Sequence, residues 1–128
     1  MSLGPVQPAG ILIFTSLDRF EAMARFYRDT LGLPVRSDRQ GFINFEFENQ
    51  RLTVAVHSEV EGPSQDPKRI MINFATGDVE AAVAHLARAG VEIVRYAERE
   101  KWGGWVATFA DPDGNLVQLL ELPESTQE

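Results

Sequence analysis

Residues 11–27, ILIFTSLDRFEAMARFY, and residues 70–86, IMINFATGDVEAAVAHL, are two renderings of one pattern. Without a gap, Ile11 falls on Ile70, Ile13 on Ile72, Glu21 on Glu80 and Ala22 on Ala81, while Phe20 meets Val79. A repeat whose period is nearly half the chain implies two copies of one module, related by pseudo-symmetry. In such a molecule the cleft between the copies is the first place to expect a ligand.

Each copy opens on an alternating, β-rich run and passes into helical periodicity. Residues 11–16 read as a strand. Ser16 or Asp18 then offers a side-chain oxygen to an orphan helix N–H. Phe20, Met23, Ala24, Tyr27 and Leu31 fall on one stripe, Gly32 allows the left-handed residue that ends a helix, and Pro34 prevents continuation. Three β-type runs follow, at 35–37, 42–48 and 52–57, the last two joined at Asn49 and Gln50. The second copy repeats the order. A strand at 70–75 is followed by Asp78 as cap, a helix carrying Val79, Ala82, Val83 and Leu86, and Gly90 as stop. Strands at 92–96, 105–110 and 116–121 complete it, the last pair turned by Asp111-Pro112-Asp113-Gly114-Asn115. Residues 58–68 are polar and rich in Gly and Pro, as a linker is.

The reading is therefore an α+β domain over 10–122. It comprises βαβββ modules at 10–58 and 69–122, a linker at 59–68, and flexible tails at 1–9 and 123–128. Together the modules are expected to form a curled mixed eight-stranded sheet with helices outside and a concave ligand face.

Bulk composition narrows the function. The chain has 128 residues, 44% hydrophobic and 24% charged, as an ordinary globular domain does. With no cysteine, disulfides and thiolate chemistry are excluded. A net charge of −7 argues against nucleic acid and anionic membranes as partners. No apolar run is long enough for a membrane helix, and residues 1–10 lack the basic start and apolar core of a signal peptide, so a cytoplasmic location is expected.

Two stretches carry a family resemblance. Phe26-Tyr27-Arg28-Asp29-Thr30-Leu31-Gly32-Leu33 resembles the first-helix signature of the glyoxalase, bleomycin-resistance and extradiol-dioxygenase superfamily (the vicinal oxygen chelate fold). Asp111-Pro112-Asp113-Gly114-Asn115-Leu116-Val117-Gln118 resembles its C-terminal hairpin signature. The resemblance implies paired βαβββ modules and, commonly, a homodimer. It fixes no activity, since such a fold carries lyases, dioxygenases, epimerases and non-catalytic drug binders. Enzymes of the family usually hold a divalent metal, with His on each first strand and Glu, Gln or His on each last strand. Those positions align here with Leu12, Met71, Val54 and Gln118. Leucine and valine cannot ligate, methionine suits these cations poorly, and one neutral amide holds nothing. A one-residue slip would swap the faces, presenting Thr53, Ala55 and His57 in the first module and Glu121 in the second. No register supplies two histidines.

The remaining candidates are few. His57 ends a strand, and its ordinary role there is a solvated side chain, with pocket acid/base chemistry the alternative. His85 reads as surface. Trp102-Gly103-Gly104-Trp105 suits a wall that stacks on a planar ligand, although a core tryptophan would fit the pattern too. Phe14 and its repeat mate Asn73 share a face with Leu12 and Met71, and Asn73 and Gln118 are polar groups on apolar strands that need partners. Phe42 and Phe45 add aromatic surface or core. The carboxylates of Asp111 and Asp113 are read as turn formers, and Arg36, Arg39, Arg51 or Arg95 would bind an anion only by pointing inward.

The leading expectation is a metal-independent small-molecule binder with no cofactor. Phe14, Trp102 and Trp105 would form its wall, and Asn73 and Gln118 its anchors. An enzyme of the same fold is the alternative, with a relocated metal site (His57 and Gln118) or metal-free acid/base chemistry. A pure interaction module is a third possibility.

Overall fold

The computed structural model describes residues 4, 5 and 7–123, so most of the expected C-terminal tail and part of the N-terminal one lie outside the described residues. The chain divides into two compact units, the first ending at Gly62 and the second starting at Pro63. The division falls inside the expected linker, where residues 57–71 contribute no helix or strand.

The first unit contains β1 (Gly10–Thr15), α1 (Phe20–Arg25), β2 (Val35–Arg39), β3 (Phe42–Glu46) and β4 (Arg51–Val56). The second contains β5 (Ile72–Ala75), α2 (Val79–Arg88), β6 (Ile93–Arg99), β7 (Trp105–Ala110) and β8 (Leu116–Glu121). All eight expected strands are present. They are shared between two four-stranded mixed sheets, of order β1-β4-β3-β2 and β5-β8-β7-β6. In each sheet the first strand runs parallel to the last, and the other pairings are antiparallel.

The repeat in sequence is a repeat in packing. Phe20 and Val79, Ala24 and Val83, and Tyr27 and Leu86 are matched pairs, and all six are buried. In the first unit this stripe meets one face of the sheet, where Ile43, Phe45 and Val54 are fully buried and Leu52 nearly so. Each such side chain contributes roughly 2 kcal/mol by leaving water. In the second unit Val117, Phe109, Ala107 and Ile72 hold the same place. The first helical segment is less regular than its stripe suggests. A 3₁₀ turn at Leu17–Arg19 precedes α1, and a π turn at Phe26–Thr30 follows it. There the Leu31 N–H donates to the Phe26 carbonyl at 2.9 Å, and Gly32 takes φ +69°. Ser16 does not cap: its hydroxyl donates to Asp18 Oδ1 at 2.6 Å. Asp78 does cap, accepting from the Ala81 N–H at 3.0 Å. At the far end of α2, Val91 N–H reaches Leu86 O and Gly90 N–H reaches Ala87 O, with Gly90 at φ +83°. That is a Schellman closure, and it requires a left-handed residue where glycine stands.

Candidate functional site

Strand alternation with a fixed register decides which side chains each sheet turns away from its helix. In the first unit Ile43 pairs with Val54 and Phe45 with Leu52, all against the helix. The intervening residues therefore face the other way: Leu12 and Phe14 on β1, Phe42 and Asn44 on β3, Thr53 and Ala55 on β4. This corrects one expectation. Val54 lies on the helix side, fully buried, and Thr53 and Ala55 take the helix-free positions of the last strand. Alternation alone could not distinguish the two registers; the helix stripe does.

On that face Phe14 is 42% exposed, and its ring meets His57 edge-on at 4.8 Å. His57 is half-buried, and its Nδ1 accepts the Glu59 backbone N–H at 3.0 Å. The imidazole proton of the neutral ring is then on Nε2. Phe42 carries the Arg39 guanidinium over its ring at 4.3 Å. Phe45, by contrast, is core.

In the second unit Asn73 on β5 stands opposite Gln118 on β8, and Gln118 opposite Thr108 on β7. Thr108 stands opposite Arg95 on β6. These four form a polar row across the helix-free face. Asn73 is exposed, Gln118 half-buried and Thr108 buried. Within the described residues neither amide side chain makes a hydrogen bond. Arg95 is engaged by Glu98 at 2.7 Å and by Glu100, whose carboxylates hold its guanidinium pKa above the ordinary value. Of the other arginines considered as anion binders, Arg36 and Arg51 are both paired with Glu46, and Arg39 lies over Phe42.

The two tryptophans separate. Trp102 is 50% exposed and its ring lies over Gly104, where a Cβ would come within 1.9 Å of it and within 2.5 Å of the Glu121 carbonyl. Glycine is required there by close approach. Trp105 is paired with Glu121, one step out of phase with Gln118, so it stands on the helix side with Ala107 and Phe109. Glu121 is on that side too, and its Oε1 accepts the Val79 N–H at the start of α2 at 2.9 Å. The expected set of Phe14, Asn73, Trp102, Trp105 and Gln118 thus includes Asn73 and Gln118 side by side, with Trp105 on the opposite face of their sheet.

The Asp111 carboxylate is structural. Asp111 Oδ1 accepts the N–H groups of Asp113 and Asn115, and Oδ2 accepts the Asn115 side-chain amide, each at 2.9 Å. His85 is exposed on α2. Among the described residues no three His, Asp or Glu side chains converge in a way that would hold an ion. The metal of the resembled enzymes is not fitted by Leu12, Met71, Gln118 and the Thr53-Val54-Ala55 segment, which offer no imidazole and no carboxylate. The sequence reading missed Asn44 and Thr108, two polar residues within apolar strands. The signal for each was a polar break in an apolar run, Phe42-Ile43-Asn44-Phe45 and Val106-Ala107-Thr108-Phe109.

Comparison with known proteins agrees with this architecture. A curated relative, the uncharacterized protein YraH of Bacillus subtilis (strain 168), is 26% identical over 115 residues, covering 80% of this chain and 90% of its own. The fold is shared with a lactoylglutathione lyase from Agrobacterium tumefaciens, at TM-score 0.69 and 18% identity over 92% of this chain and 95% of that one. It is shared also with a glyoxalase-related enzyme from Fulvimarina pelagi, at TM-score 0.73 and 21% identity over 94% of this chain and 89% of that one. With residues 14–119 matching the family model, the chain belongs to the glyoxalase/bleomycin resistance protein/dioxygenase superfamily.

Proposed function

We propose that this protein is a metal-independent small-molecule binder of its superfamily, sequestering an antibiotic or metabolite, and that it acts as a cytoplasmic homodimer. The observation that carries the reading is the Asn73–Gln118 pair. Two carboxamides sit in register on adjacent parallel strands, Gln118 at the position where the resembled enzymes carry a metal-binding residue, and neither is engaged within the described chain. Each amide offers two donors and an acceptor and no charge. Such a pair suits a neutral ligand edge bearing both a donor and an acceptor, and it needs no ion to orient it. Sequestration requires affinity alone, so loss of the metal ligands is compatible with it. Trp102 in the second unit and Phe14 in the first are each about half exposed, and each offers its own unit an apolar surface on which a ligand could lie.

The test is a screen of planar amides, cationic aromatics and antibiotic-like compounds by protein-observed NMR. The side-chain amide resonances of Asn73 and Gln118 are expected to shift with bound ligand. Asn73→Ala and Gln118→Ala are each expected to weaken binding about tenfold, the worth of one hydrogen bond. Binding that leaves both resonances and both variants unaffected would remove the assignment.

A second reading, an enzyme with metal-free acid/base chemistry, has one observation in its favour. His57 is half-buried against Phe14, with Nδ1 fixed as an acceptor and Nε2 as the free position. Turnover of a substrate lost in His57→Gln but not in Gln118→Ala would establish it over sequestration.

A further inference from the structure

One buried side-chain atom among the described residues has no hydrogen-bond partner: Oδ1 of Asn44. Asn44 is 4% exposed in the middle of β3, opposite Thr53 on β4 and Ser37 on β2. Its neighbours Ile43 and Phe45 are fully buried on the helix side, so the carboxamide points to the helix-free face of the first unit. The amide nitrogen Nδ2 makes no hydrogen bond within the described chain either. A buried carbonyl without a donor has lost its water and gained nothing in return. An apolar residue of the same size would avoid that loss in a strand whose other buried side chains are Ile43 and Phe45. Packing therefore does not account for asparagine here.

The surroundings point to what does. On β1, two strands away in the same sheet, Leu12 and Phe14 are 56% and 42% exposed on this same face. Two adjacent strand spacings place this apolar shelf about 10 Å from the carboxamide, the span of a one- or two-ring molecule. We infer that Asn44 is a specificity-determining residue for ligand, accepting an N–H or O–H hydrogen bond from a small molecule whose apolar or aromatic body lies on Leu12 and Phe14. This rests on the small-molecule-binding reading above, and it assigns to that function a residue of the first unit.

The test uses Asn44→Leu and, should leucine fail to fold, Asn44→Ala, with two readouts. Thermal unfolding without ligand is expected to show the leucine variant as stable as the parent or more so, since an unsatisfied buried group has been removed. Protein-observed NMR titration with 2-naphthol and its matched ether 2-methoxynaphthalene reads the hydrogen bond directly. The parent is expected to bind the naphthol about tenfold more tightly than the ether, with shifts at Asn44, Leu12 and Phe14, and the variant to bind both alike. A clear fall in unfolding temperature for the leucine variant would overturn the inference, because Asn44 would then be holding a structural hydrogen bond. Equal binding of both probes by the parent, or of neither, would overturn it as well. Shifts at Asn73 and Gln118 without shifts at Asn44 would reject this residue while leaving the binding function standing.

Discussion

Asp111 organises the second hairpin through three hydrogen bonds to its own turn, from the backbone of Asp113 and Asn115 and the side chain of Asn115. It is 4% exposed, so each donor it releases is left short of water. Asp111→Ala is expected to cost about 3 kcal/mol in urea or thermal unfolding, since charge-assisted bonds are lost and buried N–H groups orphaned. A metal-ligand role would predict little change in metal-free protein. At this scale the sequence was legible where chemistry is local: the turn, Gly32, Gly90 and the Asp78 cap are all dictated by neighbours within a few positions. It was less legible for side chains whose meaning depends on a partner strand. Asn44 gave no signal beyond a polar letter in an apolar run, and Trp105 could be placed only once its pairing with Glu121 was known.

Helix α2 begins under two acceptors, Asp78 on its own turn and Glu121 from β8. The second ties the helix to the sheet and places a carboxylate at the positive end of the helix. Glu121→Ala is expected to destabilise the protein by about 1 kcal/mol, with helix-α2 amides exchanging faster with solvent. Unchanged exchange would show the Asp78 cap to be sufficient. In the first unit, Arg28 clasps Asp29 at 2.9 Å and Asp38 at 3.1 Å, joining the π turn to β2. The side-chain hydrogen bond from Arg28 holds the Asp29 carboxyl below its ordinary pKa. Because the folded-state value is depressed, the contribution is complete above the ordinary aspartate range and is lost as pH falls through the lowered value. The clasp is solvent-exposed, so the effect is small and weakened by salt. Acid unfolding curves of Arg28→Gln are expected to be shallower than the parent's over that interval; coincident curves would show that the clasp contributes nothing. Elements were legible because hydrophobic period and stop signals coincide. Register was not, since Val54 and Thr53 satisfy alternation equally well until Leu52 and Val54 are found against the helix. The bulges at Val35/Ser37 in β2 and around Arg95 in β6 also break phase in a way that composition does not announce.

At the scale of the molecule, the repeated pattern specified the architecture. Two copies of one βαβββ unit appear in the order the sequence implies, and residues 14–119 match one superfamily. Function was only partly legible, because a shared fold carries many chemistries and the residues that usually discriminate them have been replaced. Leu12 and Met71 stand where imidazoles would be needed, and Gln118 where a carboxylate would be. We propose that such a donor set binds no divalent ion and that the protein works without one. Thermal unfolding of chelator-treated protein, titrated with zinc, nickel, manganese and ferrous iron, tests it most directly. The expected result is an unfolding temperature that none of the four ions raises. A saturable, one-site rise with any of them, as specific binding to the native state requires, would contradict it.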